Sequence, residues 1–348
     1  MKKVKRWNAL TFFKSTAVLF FFILLSACTP PSPIGPLPGK TPDSFRIAFG
    51  SCNKTFLPQP LWNPIRAAQP DLWMWLGDIV YGDRGGIDTI RWMYNFQKNH
   101  PGYAALRQTV PVIGIWDDHD YGVNDGGSEY EHKKETQRLL MDFLDEPAES
   151  PRRLQEGIYT SYRYDKLNTR IKLILLDERS FREDPRANKD ILGDIQWQWL
   201  YGELFGDTTD ITLIASSSQI IPNDNYAFNE VWQDYPASRD KMLSWLKTVP
   251  GTVLIVSGDR HYAEISQIEN GRNNGRSTLT ELTSSGLTHT KNYTLYSLLP
   301  IEPNSHRVGD FYGGLNFGVI DIDAVQRKIF GYVCDHESMI RLQLVIDY

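Results

Sequence analysis

Short apolar runs alternate along the chain with segments whose apolar positions recur at helical spacing. Phe45–Phe49, Leu72–Leu76, Val110–Trp116, Ile171–Leu176, Ile211–Ala215 and Val253–Val256 are short and mostly apolar, the pattern of buried strands. Between them, Glu131–Asp145 sets Leu139, Leu140, Phe143 and Leu144 on one face. Asp194 reads as the N-cap of a helix carrying Trp197, Leu200, Tyr201 and Leu204 at i, i+3, i+4 and i+7. Ala237–Val249 repeats that stripe through Met242, Trp245, Leu246 and Val249. Beyond Leu279 the runs shorten and alternate (Leu279–Thr283, Phe317–Ile322, Ile329–Val333, Leu342–Ile346), which predicts an antiparallel finish. The whole reads as an α/β protein with a mixed sheet, or two sheets face to face, rather than a doubly wound parallel one.

The first 40 or so residues depart from this pattern. Lys2, Lys3, Lys5 and Arg6 precede the apolar stretch Ala17–Leu25, and Leu25-Ser26-Ala27-Cys28 follows. A basic start, a short apolar core and small residues before a cut predict a secretory signal. Nine apolar residues fall well short of the roughly 20 that span a bilayer. The cysteine after Leu-Ser-Ala resembles a bacterial lipobox, which implies cleavage before Cys28 and lipidation of its thiol. The expected organisation is a signal peptide over 1–27, a lipidated cysteine with a Pro/Gly-rich tether over 28–43, and one domain over 44–348 with no internal repeat. The tether, Thr29–Lys40, looks too poor in core-forming residues to fold. The expected location is the bacterial cell envelope, periplasmic or cell-surface, with the membrane reached through the lipid on Cys28.

The 348 residues are 41 % hydrophobic and 23 % charged, enough for a sizeable core. Loss of the signal removes five positive residues and no acids, so the net charge becomes 32 − 42 = −10. No Lys/Arg cluster large enough for nucleic acid stands out against that acidity. With Cys28 committed to lipid, Cys52 and Cys334 remain; they could pair, but two cysteines do not make a disulfide framework.

The candidate chemistry sits where the strands end. Gly50-Ser51-Cys52-Asn53 follows the first run, Gly77-Asp78-Ile79-Val80-Tyr81-Gly82-Asp83 the second, and Asp117-Asp118-His119-Asp120 the third. Asp177-Glu178-Arg179, Ser216-Ser217-Ser218-Gln219 and Gly258-Asp259-Arg260-His261 follow the others. In open α/β sheets such carboxyl-end tips converge on one rim. One Asp/Gly tip is ordinary turn chemistry; six in order point to a bound cation. Carboxylates at Asp78, Asp118 and Asp259 would repel one another without one. The imidazole of His261 and an amide at Asn124 extend the donor set. A tyrosinate from Tyr81 or a thiolate from Cys52 favours ferric iron or zinc over calcium alone. Asp118–Glu129 has the length of an EF-hand loop but carries Val123 at the sixth position instead of glycine, which excludes one. Arg179 reads as a buried partner of Asp177, Cys334 as core, and His289 as a candidate just behind the donors.

These segments, in this order, resemble the PhoD-like alkaline phosphatase/phosphodiesterase family of the metallophosphatase (calcineurin-like) superfamily. The resemblance runs through Phe49–Cys52, Leu76–Asp83, Trp116–Asn124, Leu176–Arg179, Leu192–Trp197, Phe228–Trp232 with Pro236 and Arg239, and Ser257–His261. It implies an αββα sandwich of two mixed β-sheets flanked by helices. It also implies two or more metal ions, Fe3+ with Ca2+ or another divalent ion. Cys52, Asp78, Tyr81 and His261 would hold the trivalent ion. Asp78 would bridge to a second position completed by Asp118 or Asn124 and by Asp259. The implied function is phosphoester hydrolysis, diester or monoester, by in-line attack of a water that two metals activate. His119 is then the candidate to protonate the leaving oxygen or hydrogen-bond the phosphate, and Arg84 and Arg239 to neutralise it. The alternatives are a surface lipoprotein that binds metal or ligand without turnover, and a serine hydrolase using Ser51 or Ser216–Ser218. The second lacks a Gly-x-Ser-x-Gly elbow.

Overall fold

Most of the apolar runs that precede polar tips become the parallel cores of two sheets. The structure, a computed structural model, describes residues 31–184, 190–223, 232–269, 278–291 and 303–348. The strands are β1 (Gly35–Pro36), β2 (Ser44–Gly50), β3 (Leu72–Leu76), β4 (Val112–Ile115), β5 (Thr160–Lys166) and β6 (Thr169–Leu175). They continue with β7 (Ile211–Ser216), β8 (Thr252–Ser257), β9 (Ala263–Glu269), β10 (Thr278–Ser284), β11 (Phe317–Asp323), β12 (Lys328–Cys334) and β13 (Met339–Asp347). One sheet has the order β1-β13-β12-β11-β2-β3-β4 and the other β5-β6-β7-β8-β10-β9. In the first, β2, β3 and β4 run parallel and the remaining pairs antiparallel. In the second, β6, β7, β8 and β10 run parallel between antiparallel edges.

Strand periodicity sorts the side chains into layers. Trp73 and Trp75 stack edge-on against Trp62, with ring centroids 5.4 and 5.5 Å apart, and Trp75 also meets Tyr103 and Phe143. These contacts seat the helices Trp62–Ala67, Pro101–Arg107 and Lys133–Phe143 on the outer face of the first sheet. Ile47, Phe49, Met74 and Leu76 share one core with Leu173, Leu213, Leu254, Val256 and Leu282 of the second sheet. The alternate positions of the second sheet, Ile174, Ile214 and Ile255, pack on Trp197, Leu200 and Leu204 of Gly193–Phe205 and on Met242 and Leu246 of Pro236–Leu246. Four layers result, the αββα sandwich that the resemblance implied. Full burial of each such side chain stabilises by about 1.5–3 kcal/mol. Truncating Trp75 to alanine should cost about 3–5 kcal/mol.

Three expectations need correction. The helix after Leu192 begins at Gly193, so Leu192 is the N-cap and Asp194 lies in the first turn, where its carboxylate still suits the positive helix end. Arg179 donates its side chain to Asp117 at 2.7 Å, and its backbone N–H reaches Asp177 at 3.0 Å. The expected unfolded tether is partly a strand. Ile34 N–H donates to Ile340 O at 2.8 Å, Leu37 N–H to Ser338 O at 3.0 Å, and Arg341 Nη1 to Pro31 O at 3.0 Å. Backbone bonding to a sheet edge needs no apolar side chains, which is why composition missed it. Cys52 and Cys334 are both buried free thiols. Cys28 and the signal segment lie outside the described residues, as does most of Phe228–Trp232.

Candidate metal centre

The tips of β2, β3, β4, β8 and β10 meet at one end of the sandwich because two glycines let backbones touch. A Cβ on Gly77 would stand 2.5 Å from Asp117 Cβ and 2.8 Å from Asp117 N, and the residue has φ +89°. Glycine there presses the tip of β3 against that of β4. A Cβ on Gly258 would lie 2.6 Å from Ser51 Oγ and 2.7 Å from Leu76 O. This second contact brings the tip of β8, in one sheet, onto those of β2 and β3 in the other.

The residues flanking these contacts are strained. Cys52 (φ 61°), Asp78 (φ 52°), Asp259 (φ 68°) and His261 (φ 60°) all occupy the left-handed region. Each such residue costs of order 1 kcal/mol or more and persists only where its surroundings dictate it. All four are donors expected from the sequence, although Gln69, Leu167 and Arg327, among others away from the donors, share the conformation.

Asp78 is the hub. Three groups of donor atoms lie within 4.8 Å of one another: Cys52, Asp78 and His261; Asp78, Asp118 and His119; and Asp78, Asp117 and Asp259. Tyr81 joins through its hydroxyl, which donates to Asp78 Oδ2 at 2.8 Å and stands 3.2 Å from His261 Nε2. Cys52 Sγ lies 3.5 Å from Asp78 Oδ2. The other Asp78 oxygen, Oδ1, is buried without a hydrogen-bond partner among the described residues, a costly arrangement that a cation would relieve.

Electrostatics point the same way. Burial, then Asp118 and Asp117, push the Asp78 carboxyl well above the usual range. Burial and Asp78 do the same to the Cys52 thiol and the Tyr81 hydroxyl. Burial drives His261 down to about 2 and His289 down to about 4, so both imidazoles are neutral near pH 7 and able to ligate. A cation reverses the penalty on the anions. The donor set therefore fits a metal.

Other expected residues fall in different places. Asp118 is buried; its Oδ1 accepts from His119 N–H at 2.9 Å and its Oδ2 from Asp125 N–H at 3.0 Å. Asn124, six residues on, is exposed. His119 faces the cluster, its ring centroid 4.2 Å from that of Tyr81, and its Nδ1 is 2.8 Å from Asp83 Oδ1. Arg84 is exposed in the turn Asp83–Gly85. Arg239 departs from expectation: it is buried, its Nε donates to Ile220 O at 2.8 Å, and its Nη2 donates to Ile221 O. Those bonds commit it to bracing the loop after β7.

Sequence reasoning did not single out Asp83, Asp117, Asp120 or Ser285, and left His289 open. Asp83 orients His119. Asp117 accepts from Arg179 and, at 2.9 Å, from Ser217 Oγ, so it braces the tip although it also borders the donors. His289 Nε2 lies 3.3 Å from the Tyr81 hydroxyl. Ser216, Ser217 and Ser218 surround the Glu178 carboxylate, a hydrogen-bonding role rather than a nucleophilic one.

Two mixed sheets with such a donor cluster at their parallel tips define the metallophosphatase class of fold. A family model for PhoD-like phosphatases matches residues 47–324, and the chain belongs to that family. Alkaline phosphatase D of Bacillus subtilis (strain 168) is 21 % identical over 300 residues, covering 68 % of this chain and 50 % of that protein. The chain thus spans about half the length of this curated relative. The solved structure of PhoD superposes with a TM-score of 0.65 at 16 % identity, over 90 % of this chain and 70 % of that one. A dimetal phosphatase from Danio rerio superposes with a TM-score of 0.52 at 13 % identity, over 87 % and 99 %.

Proposed function

We propose that the protein is a metal-dependent phosphoester hydrolase whose substrates are phosphodiesters or phosphomonoesters. The observation that carries this reading is the position of Asp78, shared by three donor groups at the meeting point of both sheets. Cys52, Tyr81 and His261 with Asp78 would hold Fe3+; Asp118 and Asp259 with Asp78 would hold Ca2+ or another divalent ion. Metal ions at such a site neutralise phosphoryl oxygens and acidify the attacking water. His119 Nδ1 stands 2.8 Å from Asp83 Oδ1; an ionised Asp83 would accept Nδ1–H there and leave Nε2 for the reacting group. In its protonated form His119 hands a proton to the leaving oxygen as the P–O bond breaks and water adds in line. Arg84 is free of the core and able to meet the remaining phosphate charge.

Elemental analysis of the purified protein is the direct test. Iron with a second metal is expected, both lost in Asp78→Ala, together with chelator-sensitive hydrolysis of p-nitrophenyl and bis-p-nitrophenyl phosphate. A protein that takes up no metal when supplied would sink the proposal, and a loaded protein inert to both esters would leave metal binding alone. We also propose that it is an exported lipoprotein, on the strength of the Leu25–Cys28 stretch. Wild type should then sediment with membranes and Cys28→Ala should not; a wild type found only in the soluble fraction contradicts the anchor.

A further inference from the structure

Ser285 follows directly on β10 and is fully buried. Its Oγ accepts from the backbone N–H of His261 at 3.0 Å and lies 3.0 Å from Cys52 Sγ. Cys52 comes from the tip of β2 and His261 from the tip of β8, so one hydroxyl touches a donor from each sheet. Its placement is fixed by bonds outside the donor set. Leu287 N–H donates to Ser51 O at 3.2 Å, Lys54 N–H to Thr288 Oγ1 at 2.7 Å, and Asn316 N–H to Gly286 O at 2.9 Å. A serine hydroxyl has a single proton to give, and a thiolate can only accept. With His261 N–H feeding the serine oxygen, the hydroxyl proton is left for sulfur. Ser51 Oγ, 3.6 Å from the same sulfur, makes a longer contact.

We propose that Ser285 is a positioning residue for the metal: it donates its hydroxyl proton to the Cys52 sulfur and, through His261 N–H, sets the spacing between a sulfur ligand of one sheet and an imidazole ligand of the other. The inference rests on Cys52 being a ligand, as proposed above. Hydrogen bonds from outside the ligand set orient ligands and tune their donor strength, and losing one typically weakens metal binding about 10–100-fold. Such a bond also lowers the energy of the sulfur lone pair. Removing it makes charge transfer from sulfur to metal easier, and the absorption moves to longer wavelength.

The test titrates the metal-stripped protein with Co2+ and follows thiolate-to-cobalt absorption in the near ultraviolet. Wild type should develop the band. Ser285→Ala, checked for folding by thermal unfolding without metal, should bind Co2+ about 10-fold more weakly or worse, with its band at longer wavelength. Ser285→Thr keeps the hydroxyl and should move both readouts back towards wild type. Unchanged wavelength and affinity in Ser285→Ala overturn the positioning role. Cobalt binding to wild type without any sulfur band overturns ligation by Cys52 itself, and the two failures are thereby told apart.

Discussion

Asp120 accepts hydrogen bonds from the backbone N–H groups of Asp78, at 3.2 Å, and Ile79, at 3.0 Å, so the turn after β4 holds the hub residue after β3 in its left-handed conformation. The same carboxylate accepts from Asp117 N–H at 2.6 Å and closes a capping box on the single helical turn Asp118–Tyr121. Asp120→Ala leaves those buried N–H groups unpaired, at about 1–3 kcal/mol for each that finds no substitute. Urea unfolding of the metal-free variant should show a lower midpoint, and metal analysis a reduced content. A variant with wild-type midpoint and full metal would remove this role.

The donor groups rank the neighbouring residues. Asp78→Ala should lose both metals and Asp118→Ala the second metal preferentially; Asn124→Ala, judged by the exposure of Asn124 alone, should lose neither. Metal-to-protein ratios from mass spectrometry decide it; depletion in Asn124→Ala equal to that in Asp118→Ala would return the amide to the site.

Arg239 and Arg84 should separate stability from turnover. Arg239→Met removes charge-assisted bonds to Ile220 and Ile221, worth about 1.5–3 kcal/mol each, and should lower the melting temperature. Arg84→Ala should melt as wild type does and raise KM for a phosphoester. The reverse pattern, a stable Arg239→Met with raised KM, would restore Arg239 to the phosphate.

Glu281 gives the fold a pH dependence away from the metals. It is fully buried; it accepts from Ile220 N–H at 3.0 Å, Ile221 N–H at 2.7 Å and Ser257, and it faces Glu264 and Arg239. Burial raises its carboxyl from the ordinary 4.5 to about 7. A folded value above the unfolded one means that the folded state binds more protons between pH 4.5 and 7, so this group's contribution to stability falls as pH rises through that window. The loss is of order 3 kcal/mol. Chemical unfolding of the metal-free protein across the window should show this slope, and Glu281→Gln should flatten it while giving up one N–H acceptor. An equal slope in both proteins would assign it elsewhere.

The parallel strands were legible because burial on both faces leaves unbroken apolar runs such as Leu72–Leu76. The edge strand β5, written Thr-Ser-Tyr-Arg-Tyr-Asp-Lys, was not, because its polar side chains meet water. At the other rim of the second sheet, β9 was hidden by Glu264 and Ser266, polar residues that are buried on Gln219, Asn304 and Arg307. The helix Gly86–Lys98 escaped notice because Trp92 and Phe96 are exposed, 51 % and 44 %, and blur the apolar stripe. In the site, the Gly-Asp tips were readable since glycine and aspartate each carry local meaning. Asp117 against Asp118 was not, because neighbouring acids on one tip point different ways, one to Arg179 and one to the donors. Arg239 misled for a related reason: composition does not say whether a guanidinium meets a phosphate or a pair of carbonyls.

The strand pairing of Gly35–Pro36 with β13 changes how an attached lipid would act. From Cys28 to Pro31 the chain reaches at most about 10 Å, and Pro31 is already held by Arg341. If Cys28 carries the lipid proposed above, the leash between bilayer and sandwich is that short, and it ends on the β13 edge of the first sheet.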